Sequence, residues 1–293
     1  MTVETLPSQK LADKLSDASV RLHYSALEAV PFPATLEKNN WFTAPELTTL
    51  FGQPEWEMLS EDGKKVLSFY EAVNFYSLNI NGEKALIEGL AKRLYDEARP
   101  SEHSRYIHHF LDEENKHMTF FGTFCMRYAG KVYQDRKFNF EREYQDGEEE
   151  FLFFLKVFIF EEIADYFNVK MSTDDRLTEV ARKINYYHHV DESRHLAFGR
   201  MHLKEVWDKY ASTWGEDYKT NLETYIRQYL ASTWREYYNP DVYTDAGIPD
   251  AYDLSDRVFN SGVAKNFRKM VSEGLVSYMK KCGIVSGSFE LEG

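Results

Sequence analysis

The stretch INYYHHVDESRHLAFGRM, residues 184–201, sets Ile184, His188, Glu192, His195, Phe198 and Met201 at steps of three and four residues. That is the period of one face of an α-helix, and it puts a carboxylate and two imidazoles in line with the apolar residues that face a core. The stretch from Ile107 to Cys125 repeats the arrangement: Ile107, Leu111, Glu114, Met118, Phe121 and Cys125 share a stripe, with His117 beside it. Each stretch thus carries Glu-x-x-His, as Glu114/His117 and as Glu192/His195. On a solvated surface such a pair is a common accident. On an apolar face it needs a partner, because burying an unpaired carboxylate or imidazole costs several kcal/mol. A metal ion is one such partner.

Two helices that each offer Glu-x-x-His, with two more that each offer one Glu, make up the ligand set of a di-iron or di-manganese carboxylate site inside a four-helix bundle. The two single glutamates are therefore to be sought on other helices. In the segment 63–98, Glu88 sits between Lys84 and Lys92 at four-residue spacing, a salt-bridged solvated face. Glu83 instead aligns with Tyr76, Asn79, Ile87, Leu90 and Leu94 and is the expected ligand, ahead of Glu71, which lies far from the turn that the next ligand helix follows. Asn81 and Gly82 just before it are poor helix formers and suggest a local kink. In FLFFLKVFIFEEIADYF, residues 151–167, the candidates are the adjacent Glu161 and Glu162, which periodicity does not separate. His23, His103, His108, His109, His189 and His202 carry no such pattern and read as structural.

The rest of the chain fits an all-α fold. Proline is scarce between about residue 60 and residue 240 and strand alternation is hard to find. An irregular N-terminal region with short helices is expected up to about 60, then helices near 63–98, 104–130, 148–171, 175–211, 216–238 and 261–282. Breaks are expected at Pro100, in QDRKFNFEREYQDGEEE, and at Ser172 to Asp175, where small polar residues could cap a new helix. One domain, 1–293, with a metal-binding core over about 63–205, suits a chain of 293 residues. Cys125 and Cys282 lie far apart, which excludes a disulfide framework and a thiolate metal site and fits the cytoplasm. The formal charge of -13 disfavours nucleic acid and anionic membranes as partners. No signal peptide and no apolar run long enough to span a bilayer is expected.

With these residues in place, the arrangement resembles the ferritin-like di-iron oxygenases, and Asp191-Glu-Ser-Arg-His195 matches their Asp-Glu-x-Arg-His pattern. The resemblance implies that Asp191 and Arg194 orient metal-bound histidines. His188, four residues before Glu192, adds a third imidazole and narrows the likeness to the AurF-type N-oxygenases, whose site has three histidines and four carboxylates. Their lone carboxylate on the preceding helix falls at a distance that selects Glu161 over Glu162.

The resemblance covers about 63–205. It implies two iron ions, with manganese as the alternative for such ligands, and dioxygen as co-substrate. Glu114 and Glu192 would bridge the ions. His117, Glu83, His188, His195 and Glu161 would complete their coordination. The implied reaction is N-oxygenation of an amine, an arylamine or a free or carrier-bound amino acid, to a hydroxylamine, nitroso or nitro product in specialised metabolism, with an external electron donor and a homodimeric enzyme. C–H hydroxylation or desaturation, and a non-catalytic iron- or oxygen-handling role, are the rival readings. Phe153, Phe154, Phe158 and Phe160 are expected either to wall the substrate pocket or to be plain core.

Overall fold

The computed structural model describes residues 7–95, 101–134 and 143–291. Its helices are α1 (Pro7–Arg21), α2 (Ala26–Ala29), α3 (Pro54–Met58), α4 (Glu61–Lys92), α5 (Ser101–Phe124), α6 (Glu148–Ser172), α7 (Glu179–Tyr210), α8 (Glu216–Tyr237), α9 (Pro240–Asp245), α10 (Ala251–Phe259) and α11 (Gly262–Lys281). A short 3-10 turn spans Pro45–Leu47, and a π-helical turn, Cys125–Ala129, continues α5. Among the described residues the sole sheet-like contact is a parallel bridge between Trp41 and Leu177. Cys125 and Cys282 are both free.

Helices α4 and α5 pack together, as do α6 and α7; contacts of α4 with α6 and of α5 with α7 close the ring. This is a ferritin-like helical bundle, with α1 lying on α5 and α7, and α8 on α4 and α6. The local chemistry explains the boundaries. Ser60 caps α4 by accepting from the Gly63 amide at 3.1 Å, and Glu61 and Asp62 complement the positive end of the helix. Glu148, Glu149 and Glu150 do the same for α6, which starts after Gly147 at φ +74°.

Three expectations are corrected. Helix α7 begins at Glu179, four residues later than expected, because Thr178 donates its amide to the Trp41 carbonyl at 2.9 Å and Leu177 is bridged to Trp41. Pairing with the N-terminal region holds this segment outside the helix. The N-terminal region itself contains a full-length α1, whose buried side is small residues, Ser8, Ala12, Ser16 and Ser19, a pattern that apolar periodicity does not register. Helix α4 runs through Asn81 and Gly82 without a break. The Asn81 side chain donates to the Tyr133 carbonyl at 3.0 Å.

Gly82 serves packing instead, since a Cβ there would stand 2.9 Å from the Phe160 ring, and one at Gly89 would overlap Phe153. These two glycines, one heptad apart, let α6 phenylalanines seat directly on the α4 backbone. The expected break at Pro100 lies outside the described residues, as do residues 96–98 of the first long helix and 135–142 of the charged connection.

Candidate metal centre

The four core helices bring seven side chains together at their centre. Donor atoms of Glu83, His117 and His188 form one group, and those of Glu114, Glu161, Glu192 and His195 another, each group within 4.8 Å. All seven residues are at most 4 % exposed. Nδ1 of His117 stands 3.2 Å from Glu114, 3.6 Å from Glu192 and 3.7 Å from Glu83. Nε2 of His188 lies 2.9 Å from Glu192 and 3.7 Å from Glu83, and Nδ1 of His195 lies 2.9 Å from Glu114. Glu114 and Glu192 therefore face histidines of both groups, the position that a bridging carboxylate takes.

The outer nitrogen of each ring is held from behind. His117 Nε2 sits 3.2 Å from Asp191 Oδ2, which also accepts from the Tyr24 hydroxyl at 2.7 Å. His195 Nε2 donates to Glu113 Oε2 at 2.8 Å, and Arg194 binds both Glu113 and Asp191. His188 Nδ1 lies 2.7 Å from the Asn168 amide. For Nε2 of His188 to aim a lone pair at the centre, Nδ1 carries the proton and the Asn168 amide is turned over, so that its oxygen, otherwise buried without a partner, accepts in place of the nitrogen found there. Such partners fix tautomer and ring orientation in metal sites. The π-helical turn after α5 lies beyond this cluster, eight residues past His117.

Without a cation this cluster is poorly compensated. Burial, with Glu114 and Glu192 adding repulsion, pushes the Glu83 carboxyl well above its ordinary range, and burial with Glu192 does so for Glu161. Burial presses His188 down. It also pulls on His117 and His195, yet Glu114 and Glu192 respectively carry these above the usual imidazole value. For Glu192 burial pushes up, but His195 and His188 outweigh it and hold the group below the carboxylate range. Both Glu83 oxygens, one oxygen each of Glu114, Glu161 and Glu192, and Nδ1 of His195 are buried without a hydrogen bond, although some approach each other closely. Five glutamate oxygens, drawn from all four core helices and buried without a hydrogen bond around three imidazoles, are what two divalent cations would satisfy.

Glu162, next to Glu161, turns outward to Arg200. Glu88 pairs with Lys92 at 2.8 Å on the surface. Glu71 lies elsewhere, accepting from the Thr49 amide at 3.0 Å, with burial pushing it up to about 7. Four of the six remaining histidines have structural partners: His202 meets Glu150 and His189 meets Asp165, each at 2.7 Å. His103 bonds Ser8 at 2.8 Å, and His108 bonds Tyr95 at 2.8 Å. Glu113, Asn168 and Tyr24 went unrecognised in the sequence. Glu113 falls off the stripe that marks Glu114, and nothing in the local pattern singles out the other two.

A cavity of about 320 Å³ opens onto this cluster, with Glu83, Glu114, Glu161, His188 and Glu192 at its inner end. Phe153 and Phe160 line it. Phe154 does not, packing instead on His202 with ring centroids 4.4 Å apart. Phe158 is likewise core, 5.1 Å from Tyr278.

Fold and donor set together define a ferritin-like protein with a di-metal carboxylate site. The model of the family described as p-aminobenzoate N-oxygenase AurF matches residues 7–283, and the chain belongs to that family. No curated protein matches it. No helix of the described residues is long and apolar enough to cross a membrane.

Proposed function

We propose that the chain is an N-oxygenase that holds two iron ions through Glu83, Glu114, His117, Glu161, His188, Glu192 and His195 and oxygenates the nitrogen of a small amine. The observation that carries this reading is the third imidazole, His188, facing both Glu83 and Glu192 at the floor of a cavity. Iron bound there supplies dioxygen activation. A first turnover is R-NH2 + O2 + 2 e⁻ + 2 H⁺ → R-NHOH + H2O, with electrons from an external donor, and further turnovers lead to nitroso or nitro products.

The protein's own contribution is positional. Glu114 and Glu192 fix the spacing of the two sites. Asp191, Glu113 and Asn168 keep the imidazoles oriented, so that little reorganisation accompanies reaction. Leu78, Leu86, Phe153, Val157 and Phe160 line the cavity, exclude water and leave the amine to approach from one side. A cavity of about 320 Å³ suits a single-ring arylamine or one amino acid, a fit for specialised metabolism.

The test is to load the protein with ferrous iron, mix the reduced form with oxygen and a panel of arylamines and amino acids, and identify products by mass. Hydroxylamine, nitroso or nitro products support the reading. Hydroxylated or desaturated carbon with nitrogen untouched replaces it with C–H oxidation.

A further inference from the structure

Lys156 is the one lysine or arginine among the described residues that line the cavity. It is half-buried on α6, and among the described residues no carboxylate stands within ion-pair distance of it. Of the other acids on the cavity wall outside the cluster, Glu149, two helical turns before Lys156, is bound to Arg93 at 2.6 Å, and Glu236 is on α8. The Lys156 ammonium instead lies 5.8 Å from the Tyr225 ring and 5.9 Å from the Tyr229 ring, two α8 side chains that stack on each other. Aromatic faces hold a cation in place without neutralising it. A partly desolvated, positioned and unneutralised charge on a cavity wall is arranged for an anion that arrives with the ligand.

Its placement gives the ligand a direction. Lys156 precedes Glu161 by five residues on the same helix, about 7.5 Å along the axis. Phe153, Val157 and Phe160 line the wall of the same cavity. A molecule with an anion at Lys156 and an amine at the cluster spans this wall, and its body lies against the apolar side chains.

We infer that Lys156 anchors an anionic oxygen group at the end of the substrate remote from its amine; this rests on the N-oxygenase reading above. The anion is a carboxylate on the substrate itself, since a span of about 7.5 Å is too short for the phosphate at the far end of a carrier-type arm. The iron-loaded protein is titrated calorimetrically, without oxygen, with para-aminobenzoate and with the neutral para-aminobenzamide.

Wild type is expected to prefer an anionic probe to the amide. Lys156→Met lowers that affinity about ten- to a hundred-fold, the worth of a charge-assisted hydrogen bond, and leaves the amide unchanged. Lys156→Arg restores the preference, and Tyr225→Leu, which frees the ammonium, weakens it in part. No preference for para-aminobenzoate in wild type, or a preference that survives Lys156→Met, overturns the inference. Its failure is separable from failure of the function: equal N-oxygenation of acid and amide by wild type and Lys156→Met sinks the anchor alone. Lys156-dependent binding without any N-oxygenated product sinks the function alone.

Discussion

Glu113 and His195 are joined by a 2.8 Å hydrogen bond from Nε2 to Oε2, while the adjacent Glu114 stands 2.9 Å from Nδ1 of the same ring. Consecutive residues of α5 thus address opposite sides of one imidazole, with Phe110 stacked on its face at 3.8 Å between centroids. This pairing orients the ring; burial pushes the Glu113 carboxyl up, but His195, helped by Arg194, outweighs it and holds the group below its ordinary value.

Replacing Glu113 tests that division of labour. Glu113→Ala leaves all seven proposed ligands intact but frees the outer nitrogen of His195 and takes one of the two carboxylates, Glu113 and Asp191, from Arg194. Iron affinity is expected to fall about ten- to a hundred-fold, the usual effect of losing such a partner. Competition with a chelator of known affinity measures it. Unchanged affinity would show that the contact is incidental.

Asn168 makes the parallel case for His188. Asn168→Leu removes the acceptor for Nδ1–H and should lower metal affinity by a similar factor, whereas Asn168→Asp, which still accepts, should not. Equal losses in both variants, read by the same competition, would point to damaged packing rather than a lost acceptor.

Stability against pH should reverse sign with metal. In the metal-free protein Glu83 and Glu161, raised chiefly by burial, hold protons that the unfolded chain releases above about 4.5. His117 and His195, raised by neighbouring carboxylates against the pull of burial, contribute stability that is complete below the unfolded value near 6.5. These four contributions are lost as pH rises. Glu192, Glu113 and Asp191 are held below their ordinary values, so their contribution is present at neutral pH and is lost in acid. Metal-free protein should therefore melt at lower temperature at about pH 9 than at about pH 6.5. Iron-loaded protein, whose ligands are deprotonated by the metal, should not show that fall. Parallel curves in scanning calorimetry would contradict the account.

Gly82 sets cavity shape. Gly82→Ala places a Cβ 2.9 Å from the Phe160 ring and pushes that ring toward the cavity. The expected result is weaker amine binding with full iron content. The packing cost, about 1–3 kcal/mol, is offset in part by the helix preference of alanine. Unaltered amine affinity in titration would mean that the ring relaxes elsewhere.

Much of the centre is legible in the sequence because it follows from helical period. Glu114, His117, His188, Glu192 and His195 sit on or beside apolar stripes, and the structure puts them where those stripes meet. The choice between Glu161 and Glu162 is not legible this way, since α6 is apolar nearly all round and its run of phenylalanines gives no polar face to measure from. Glu113, Asn168 and Tyr24 act across helices, so no local pattern marks them. The start of α7 was displaced for the same reason, by a bond to Trp41 more than a hundred residues away. Gly82 looked like a weak point in α4 and proves to be a seat for Phe160.

The central claim is tested most directly by counting iron per chain after anaerobic loading and desalting, in wild type, Glu161→Ala and Glu162→Ala. The account predicts two irons in wild type and in Glu162→Ala, whose side chain faces Arg200, and fewer in Glu161→Ala, since the two donor groups share the work of holding a pair of ions. A wild type that retains no iron, or a loss in Glu162→Ala with Glu161→Ala unaffected, would contradict it.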